Sequence, residues 1–292
     1  MTSLDSILPH FHSGKVRDTY LIPEHPALLV PRASDRLSTH NRVHKSEVPL
    51  KGELLAALTV YWALEHFDGI PTHLVAWGKK IYDYLPGAEY DPREHYRTCV
   101  VRRMYPDLYE FVHRDYLTGS LLKAYENGED PYFLGLPPGL PSMHRFSRTV
   151  FTPTHKSEDD EPLDPQIVRD ACPESTEVTL IAFSRMQAHL ASRGITLIDA
   201  KFEAAGGVLI DEWGTGDCSR MARTSEVQEG RDPPWLDKEF LRREAEHAWG
   251  TGPRAPLEFP LEALKAGAAR YHEAFEAITG MSLSEFQRSY MD

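Results

Sequence analysis

The stretch from residue 195 to residue 212 constrains the fold of this chain more than any other part of its sequence. It holds two runs of β-forming residues, 195–203 and 208–213, separated by a short segment that includes Gly206 and Gly207. Two such runs joined by a short glycine-containing loop predict an antiparallel β-hairpin. The chain therefore contains a sheet, and other elements must cover its apolar face.

The first run of this hairpin alternates charged and apolar residues. Side chains on a strand alternate between its faces, so Asp199, Lys201 and Glu203 share one face. The second run ends in Asp211 and Glu212 beside that charged face. Carboxylates repel one another unless a cation lies between them, and Mg²⁺ prefers one or two carboxylates with phosphate oxygens and water. The pattern predicts a magnesium–nucleotide site, although the first run alone fits a solvated strand face equally well.

The register of the hairpin follows from the same pattern. A three-residue hairpin loop favours glycine in the left-handed conformation at its last position, here Gly207. Such a loop places Glu203 opposite Leu209 and Lys201 opposite Asp211, so that both carboxylates share the charged face. We expect this register, with a positive φ at Gly207.

The opening of the first predicted strand is a candidate phosphate-binding turn. Residues 13–18 include Gly14, Lys15, Val16 and Arg17. A glycine beside cationic residues can bring backbone N–H groups and positive charge onto phosphates. The segment lacks the spacing of a Walker A motif, and taken alone it also fits an ordinary charged hairpin.

Two further segments place cations beside hydroxyl groups. In residues 112–120, Arg114 can clamp a phosphate or carboxylate with two hydrogen bonds, and Ser120 lies where a helix begins and can bind an anion. A strand–turn–helix junction with a capping serine is the alternative. Lys156, in a threonine-rich loop, suits a moving phosphoryl group, and a surface loop is the alternative there.

A glycine-rich segment lies in the long loop that runs to Asp237. Its two glycines allow the backbone to approach a ligand. Asp217, Ser219 and Arg220 add an acceptor, a donor and a fork-shaped cation. A polar turn without a ligand is the alternative.

Composition and charge exclude several classes of protein. The 32 Lys and Arg residues against 44 Asp and Glu give a formal net charge of −12, which argues against general nucleic-acid binding because that binding depends on neutralising phosphates. The three cysteines form no CxxC pair, which indicates a reducing compartment. No signal peptide or membrane-length apolar run is visible, so we expect a cytoplasmic protein without a membrane partner.

The order of the elements predicts an α+β fold in two lobes. Strands dominate the first third and helices close the chain. We expect a small antiparallel-sheet lobe at 1–110, binding nucleotide, and a larger lobe at 111–292, binding substrate and metal. Long helices are predicted at 51–67, with an apolar stripe, and at 175–192. The closing helices are predicted at 237–247, 261–278 and 283–291, the last beginning with a capping box formed by Ser282 and Glu285. The Pro- and Gly-rich stretch 126–164 is predicted to be a loop or lid.

Taken in order, these segments resemble the motifs of the SAICAR synthetase family from about residue 13 to residue 290. Each match alone is weak, but together they run through almost the whole chain. The matching segments are Gly14–Asp18, Ser34–Ser38, Leu50–Leu54, Ile70–Leu74, Arg114–Ser120, Thr152–Lys156, Asp199–Glu203, Leu209–Glu212, Asp217–Arg220 and Asp237–Lys238.

The resemblance implies a two-lobed, ATP-grasp-like architecture and an ATP-dependent ligase that requires Mg²⁺. The substrates implied are an azole carboxylate ribotide, carboxyaminoimidazole ribotide, and L-aspartate, joined through an acyl phosphate. Catalysis is implied for Lys15, Lys156, Lys201, Glu203 and Asp211. ATP binding is implied for Gly14, Lys15, Val16, Arg17, Lys156, Glu203 and Asp211, the last two also as metal ligands. Substrate binding is implied for Arg36, Ser38, Asn41, Arg114, Ser120, Asp217, Ser219 and Arg220.

Several positions depart from the family pattern. The motif SA-x-D is replaced by Ser38-Thr39-His40-Asn41, which lacks the carboxylate, and an aromatic pair is replaced by Met221-Ala222. A paralogue that acts on a related azole carboxylate in nucleoside natural-product biosynthesis is therefore an alternative. A non-catalytic nucleotide-binding relative is an alternative of another class. Both a monomer and a homo-oligomer are compatible with the sequence.

Overall fold

The computed structural model of the chain describes residues 3–157 and 160–292 and shows an α+β fold. In chain order, the strands are β1 (His10–Ser13), β2 (Arg17–Leu21), β3 (Leu28–Ala33), β4 (Arg36–Thr39), β5 (Arg42–Glu47), β6 (Leu74–Trp77), β7 (Cys99–Arg102), β8 (Tyr109–Tyr116), β9 (Arg145–Phe151), β10 (Thr154–His155), β11 (Ile195–Ala205), β12 (Val208–Ile210) and β13 (Ser219–Arg223). The helices are α1 (Lys51–Glu65), α2 (Gly119–Glu126), α3 (Pro165–Ala171), α4 (Pro173–Ser192), α5 (Glu239–Trp249), α6 (Leu261–Thr279) and α7 (Leu283–Phe286).

The chain divides into two compact units. The first comprises Met1–Leu64, His73–Met104 and Asp237–Asp292, and the second comprises Glu65–Thr72 and Tyr105–Leu236. The predicted single C-terminal lobe therefore does not match this division, because the closing helices belong to the first unit. The roles predicted for the lobes, nucleotide binding in one and substrate and metal binding in the other, stay predictions.

A five-stranded antiparallel sheet, in the order β1-β2-β3-β7-β6, forms the centre of the first unit. Tyr20, Val30 and Val100 are buried in its apolar cluster. The closing helices join this unit through specific contacts: Tyr61 donates its hydroxyl hydrogen to the carbonyl of Ile278 at 3.3 Å. The first unit thus joins parts of the chain that are far apart in the sequence.

Helix α1 is buried on nearly all sides rather than along the predicted apolar stripe. Every residue from Lys51 to Trp62 is buried, as expected of a helix that is apolar around its whole circumference. The ammonium of Lys51 donates to the carbonyl of Arg36 at 3.0 Å. The N–H of Gly52 donates to the Asp35 carboxylate at 2.8 Å, which satisfies one of the free N–H groups at the helix start.

The second unit is built on a sheet in which β8 and β11 are central. Its order is β10-β8-β11-β12, with β9 also pairing with β8 and β13 with β11. Helix α4 covers one face, where Phe183 and Met186 are fully buried. Strands β9, β10 and β13 lie in the stretches predicted to be loops. Those predictions were wrong because the strands are short and lie near proline and glycine residues, which are typical of loops.

The hairpin of β11 and β12 forms with a different register from the predicted one. Glu203 lies opposite Ile210 and Ala205 opposite Val208, so the loop consists of Gly206 and Gly207 alone. Both glycines have positive φ, 54° and 79°, as a type I′ turn requires. The predicted positive φ at Gly207 is confirmed, and the predicted three-residue loop is wrong because the glycine pair satisfies the tighter turn.

The ends of two predicted elements also differ from the structure. The second hairpin strand ends at Ile210 rather than at residue 213, because Asp211 has a φ of 62° and leaves the extended conformation. The last predicted helix, 283–291, is α7 followed by a π-helical turn, Gln287–Met291. Its predicted capping box, in which Ser282 and Glu285 bond reciprocally, is confirmed.

Candidate active site

A lysine and a glutamate from neighbouring strands pair at the centre of the second unit. Strands β11 and β8 are antiparallel, with Lys201 opposite Val112, which brings the Lys201 ammonium to 2.5 Å from the carboxylate of Glu110. The hydroxyl of Thr154, on β10, donates to the same carboxylate at 3.2 Å. Three strands therefore fix the position of the Lys201 side chain.

Lys156 and Glu203 form a second ion pair beside the first. Burial and the charge of Asp211 raise the pKa of Glu203, against the opposing effects of Lys156 and Lys201. Burial disfavours the charged form of Lys201, but the carboxylates of Glu110 and Glu203 outweigh it and raise the pKa of Lys201. The cluster thus combines two ammonium groups with three carboxylates.

The left-handed backbone at Asp211 explains how its carboxylate acts on Glu203 despite the observed register. Ile210, not Asp211, shares a face with Glu203 across the hairpin, and a continuing strand would place Asp211 on the other face. A φ of 62° is costly for a residue other than glycine. Strain of this kind is typical of functional sites, where the surrounding structure holds the residue in place.

A pair of carboxylates is also the kind of oxygen site that Mg²⁺ prefers when phosphate oxygens complete its coordination. The charge of Asp211 acts on Glu203, so these two residues are the candidates for holding the ion. Among residues 3–157 and 160–292, no three His, Cys, Asp or Glu side chains gather as a metal site.

Two arginines and one buried aspartate form a separate network in the second unit. Arg114 donates to the Asp199 carboxylate at 2.5 Å and to the Thr152 hydroxyl at 2.8 Å. Arg220 donates to both oxygens of the same carboxylate, at 3.0 and 2.7 Å. Arg114 also donates to Ser120 at 3.2 Å. Guanidinium groups can bind a carboxylate or phosphate through paired hydrogen bonds, which suits an anionic substrate group.

Gly119 lies directly against this network. Its φ is +59°, and a Cβ added there would lie 2.3 Å from Nη2 of Arg220. Both the backbone conformation and the close approach therefore require glycine. The remaining predicted residues of this region, Asp217 and Ser219, lie in the loop before β13 and at its start, where Ser219 pairs with Ala200.

In the first unit, Arg36 clamps the turn that contains the predicted phosphate-binding residues. Its guanidinium binds both oxygens of Asp18, at 2.7 and 3.1 Å. It also donates to the carbonyls of Gly14 and Lys15, each at 3.1 Å. This arrangement supports a structural role for Arg36 in holding the turn, alongside the predicted contact with substrate.

Other predicted residues of the first unit lie around the same turn. The carbonyl of Val16 accepts hydrogen bonds from Ser34, and the carbonyl of Arg17 accepts the N–H of Gly14 at 2.7 Å. Ser38 is buried on β4. The ammonium of Lys15 donates to the side-chain carbonyl of Asn41 at 2.5 Å. The structure therefore brings two predicted groups, phosphate-binding and substrate-binding, into direct contact.

Glu110 and Asp199 are charged residues of these networks to which the sequence analysis assigned no role in the site. Glu110 lies four residues before Arg114 on β8, so the alternation of side chains along the strand places both on the same face. Asp199 belonged to a recognised motif, but its position between two arginines depends on the pairing of β11 with β8 and β13. Contacts of this kind join residues that are far apart in the sequence.

Comparison with known proteins identifies relatives of this chain. A profile of the family described as SAICAR synthetase matches residues 10–255. The phosphoribosylaminoimidazole-succinocarboxamide synthase of Saccharopolyspora erythraea is 34% identical over 299 residues, covering 95% of this chain and 96% of its own. That of Actinobacillus succinogenes is 33% identical over 286 residues, covering 93% and 98%. The solved SAICAR-synthase from Saccharomyces cerevisiae complexed with SAICAR has a TM-score of 0.83 at 29% identity, covering 97% and 98%.

These likenesses, with the α+β fold and the charged cluster, define the class of the protein as an ATP-dependent ligase that forms carbon–nitrogen bonds. The chain belongs to the SAICAR synthetase family. The predicted family, fold class and enzyme class are confirmed. Within the described residues, the structure also contains no helix long and apolar enough to cross a membrane.

Proposed function

We propose that this enzyme condenses carboxyaminoimidazole ribotide with L-aspartate to give SAICAR, ADP and phosphate, as a step of purine biosynthesis. The observation behind this proposal is the cluster of Lys156, Glu203, Lys201 and Asp211 on the sheet of the second unit. The relatives, about one-third identical, carry the name of this activity, and the yeast structure holds SAICAR. The free cysteines Cys99, Cys172 and Cys218 fit a cytoplasmic location.

The chemistry divides into two steps. In the first, a carboxylate oxygen of the ribotide bonds to the γ-phosphorus of ATP while the bond from that phosphorus to the bridging oxygen breaks, releasing ADP. In the second, the aspartate nitrogen bonds to the acyl carbon, phosphate leaves with the electrons of the carbon–oxygen bond, and the amine loses a proton. The protein contributes positioning and charge neutralisation.

Each charged group has a proposed role in these steps. Lys15 and Lys156 bind the phosphates of ATP, and the carboxylates of Glu203 and Asp211 would hold Mg²⁺, which neutralises phosphate charge when bound. Lys201, fixed by Glu110, faces the same cluster and would stabilise negative charge as it moves to the acyl oxygen.

The network of Arg114, Asp199 and Arg220 is the proposed site for the anionic groups of the ribotide. Its two guanidinium groups and its burial favour a carboxylate or phosphate over a neutral ligand. Ser120 lies within this network, and Asp217 and Ser219 lie near its edge. Losing one arginine contact of this kind costs about 2–5 kcal/mol of binding.

A coupled assay of ADP release tests the proposal. The enzyme is given MgATP with a panel of azole carboxylates and amino acids. The expected result is the highest kcat/KM with carboxyaminoimidazole ribotide and L-aspartate. A higher value with another azole carboxylate would support the paralogue, for which the altered motif at Asn41 is the specific observation. Tight ATP binding without turnover on any pair would support a binding protein.

A further inference from the structure

The turn between β4 and β5 links the predicted phosphate-binding lysine to a closing helix of the first unit. Thr39 pairs with Arg42, so His40 and Asn41 form a two-residue turn. Their φ values are 48° and 59°, the pair of left-handed conformations that a type I′ turn requires. Asparagine tolerates this conformation better than most residues, so the backbone alone gives one reason for Asn41.

The side chains of the two turn residues make contacts in two directions. Asn41 accepts a hydrogen bond from the ammonium of Lys15 at 2.5 Å. His40 lies 2.9 Å from the carboxylate of Glu246, on α5, and its ring packs edge-on against Trp249 at 5.5 Å. The contacts of His40 fix the tip of the hairpin from which Asn41 reaches Lys15.

Hydrogen bonds thus hold Lys15 at both its backbone carbonyl and its side-chain ammonium. Its carbonyl accepts a hydrogen bond from Arg36 at 3.1 Å, while its ammonium is held by Asn41. A long exposed lysine side chain otherwise keeps much rotamer freedom, which is lost when it binds a phosphate. A side chain already restrained loses less freedom on binding.

The chemical type of the group that accepts from Lys15 determines how much of the ammonium charge is neutralised. An amide carbonyl accepts a hydrogen bond without charge, whereas an aspartate would form an ion pair with the same ammonium. With asparagine there, the ammonium is oriented while its positive charge stays available to an anion.

We infer that Asn41 is a positioning residue for Lys15. It therefore affects the binding of ATP, whereas its place in the substrate motif predicted a contact with the azole. This inference rests on the proposed function, in which Lys15 binds the phosphates of ATP. It makes the turn at 40–41 a determinant of nucleotide affinity in this chain.

Two substitutions separate the side chain of Asn41 from its backbone conformation. Asn41→Gly keeps the left-handed turn at no steric cost and removes the acceptor. Asn41→Asp keeps the acceptor and adds a charge. Each variant is measured in the ADP-release assay with separate titrations of ATP, azole and aspartate, and its binding of MgATP alone is measured by calorimetry. Thermal unfolding confirms that each variant is folded.

The expected result is a rise in the KM for ATP of about three- to tenfold in Asn41→Gly, as for the loss of one hydrogen bond of ordinary strength. The KM values for azole and aspartate are expected to stay within about twofold, since uniform loss of ATP binding changes one KM only. Asn41→Asp is expected to raise the KM for ATP as well, and added salt is expected to reduce that increase because it screens the introduced charge.

The decisive measurement repeats Asn41→Gly in a Lys15→Met background. If Asn41 acts through Lys15, adding Asn41→Gly to Lys15→Met is expected to cause no further loss of ATP binding. A double-mutant cycle measures this coupling between the two residues. An undiminished loss in that background, or an unchanged KM for ATP in Asn41→Gly alone, would overturn the inference. Failure of the wild-type enzyme itself to bind MgATP would instead refute the proposed function, so the two outcomes are distinguishable.

Discussion

At the scale of single residues, Glu203 shows how the site differs from an ordinary charged surface. Its side chain is 14% exposed and pairs with Lys156, yet burial and Asp211 together raise its pKa. The folded protein therefore holds this carboxylate in an environment that resists its ionisation. Such a cost is retained where a site needs concentrated negative charge, as a magnesium site does.

Replacing Glu203 by glutamine is expected to abolish ADP formation without unfolding the protein. The pKa of Glu203 is raised above 4.5 in the folded state. Below pH 4.5 the carboxyl is protonated in both the folded and the unfolded chain, so it has no effect on the free energy of unfolding. As pH rises through the folded pKa, ionisation of Glu203 lowers that free energy. The stability of Glu203→Gln relative to wild type is therefore expected to be greater at pH 7 than at pH 4.

Chemical denaturation at the two pH values, with the activity assay, measures both effects. Glu177→Gln, on the exposed face of α4, is the matched control and is expected to keep full activity. Normal turnover by Glu203→Gln would exclude Glu203 from the catalytic machinery.

Gly119 and Gly128 form a matched pair of positions for testing the arginine network. Both have positive φ, but a Cβ at Gly119 would meet Arg220, whereas a Cβ at Gly128 would meet nothing within 4 Å. Each alanine substitution costs about 1 kcal/mol of conformational strain. Only Gly119→Ala is expected to displace Arg220 and raise the KM for the azole, by about tenfold or more, with the KM for ATP unchanged. Equal azole KM values for the two variants would separate Arg220 from substrate binding.

At the scale of elements, the hairpin of β11 and β12 determines where the carboxylates lie. The two-residue turn sets the register, and the strand must end at Ile210 for Asp211 to act on Glu203. A one-residue slip would exchange the faces of the whole strand. The turn therefore has a functional consequence several residues away from the glycines.

The two turn glycines are expected to respond differently to asparagine, which type I′ turns also favour. A Cβ at Gly206 meets nothing within 4 Å, whereas one at Gly207 lies 2.9 Å from Cβ of Glu174. Gly206→Asn is expected to stay within about 0.5 kcal/mol of wild-type stability. Gly207→Asn is expected to lose about 1–3 kcal/mol through the clash with α4. Urea denaturation measures the difference, and equal losses would contradict the observed packing of the turn against α4.

At the scale of the whole molecule, a buried histidine couples the fold to pH. His113, on β8, is 1% exposed and lies among aromatic rings, including Phe151 at 5.1 Å and Phe183 at 5.7 Å. The hydroxyl of Thr179 donates to the carbonyl of Ser175 and so accepts from Nε2 of His113. This leaves Nδ1 unprotonated, without a hydrogen-bond partner among the described residues.

Burial lowers the pKa of His113 to about 3, below its ordinary value of 6.5. The unfolded chain therefore binds a proton that the folded chain does not, and stability falls as pH drops from 6.5 toward 3. This single group contributes up to about 1.4 kcal/mol per pH unit in that window. His113→Phe is expected to give a shallower pH dependence of unfolding free energy between pH 6 and pH 4. An identical slope in wild type and variant would show that another group is responsible.

The family, the fold class and the chemical types of the site residues could be predicted from the sequence. Lysines, carboxylates and arginines in ordered motifs are local features, and motif order along the chain identifies a family without any contact being known. The α+β class followed from the succession of strands and helices, which depends on residue period alone.

The contacts between those groups depend on the tertiary structure. Glu110 reaches Lys201, and Asp199 lies between two arginines, because antiparallel pairing joins strands separated by up to about ninety residues. The register of the hairpin and the left-handed conformation of Asp211 depend on the turn type. The pair Gly206 and Gly207 is compatible with both a two-residue turn and a three-residue loop, so the sequence did not distinguish them. The closing helices belong to the first unit. Which unit a helix packs against depends on contacts between distant residues, and local sequence does not show those contacts.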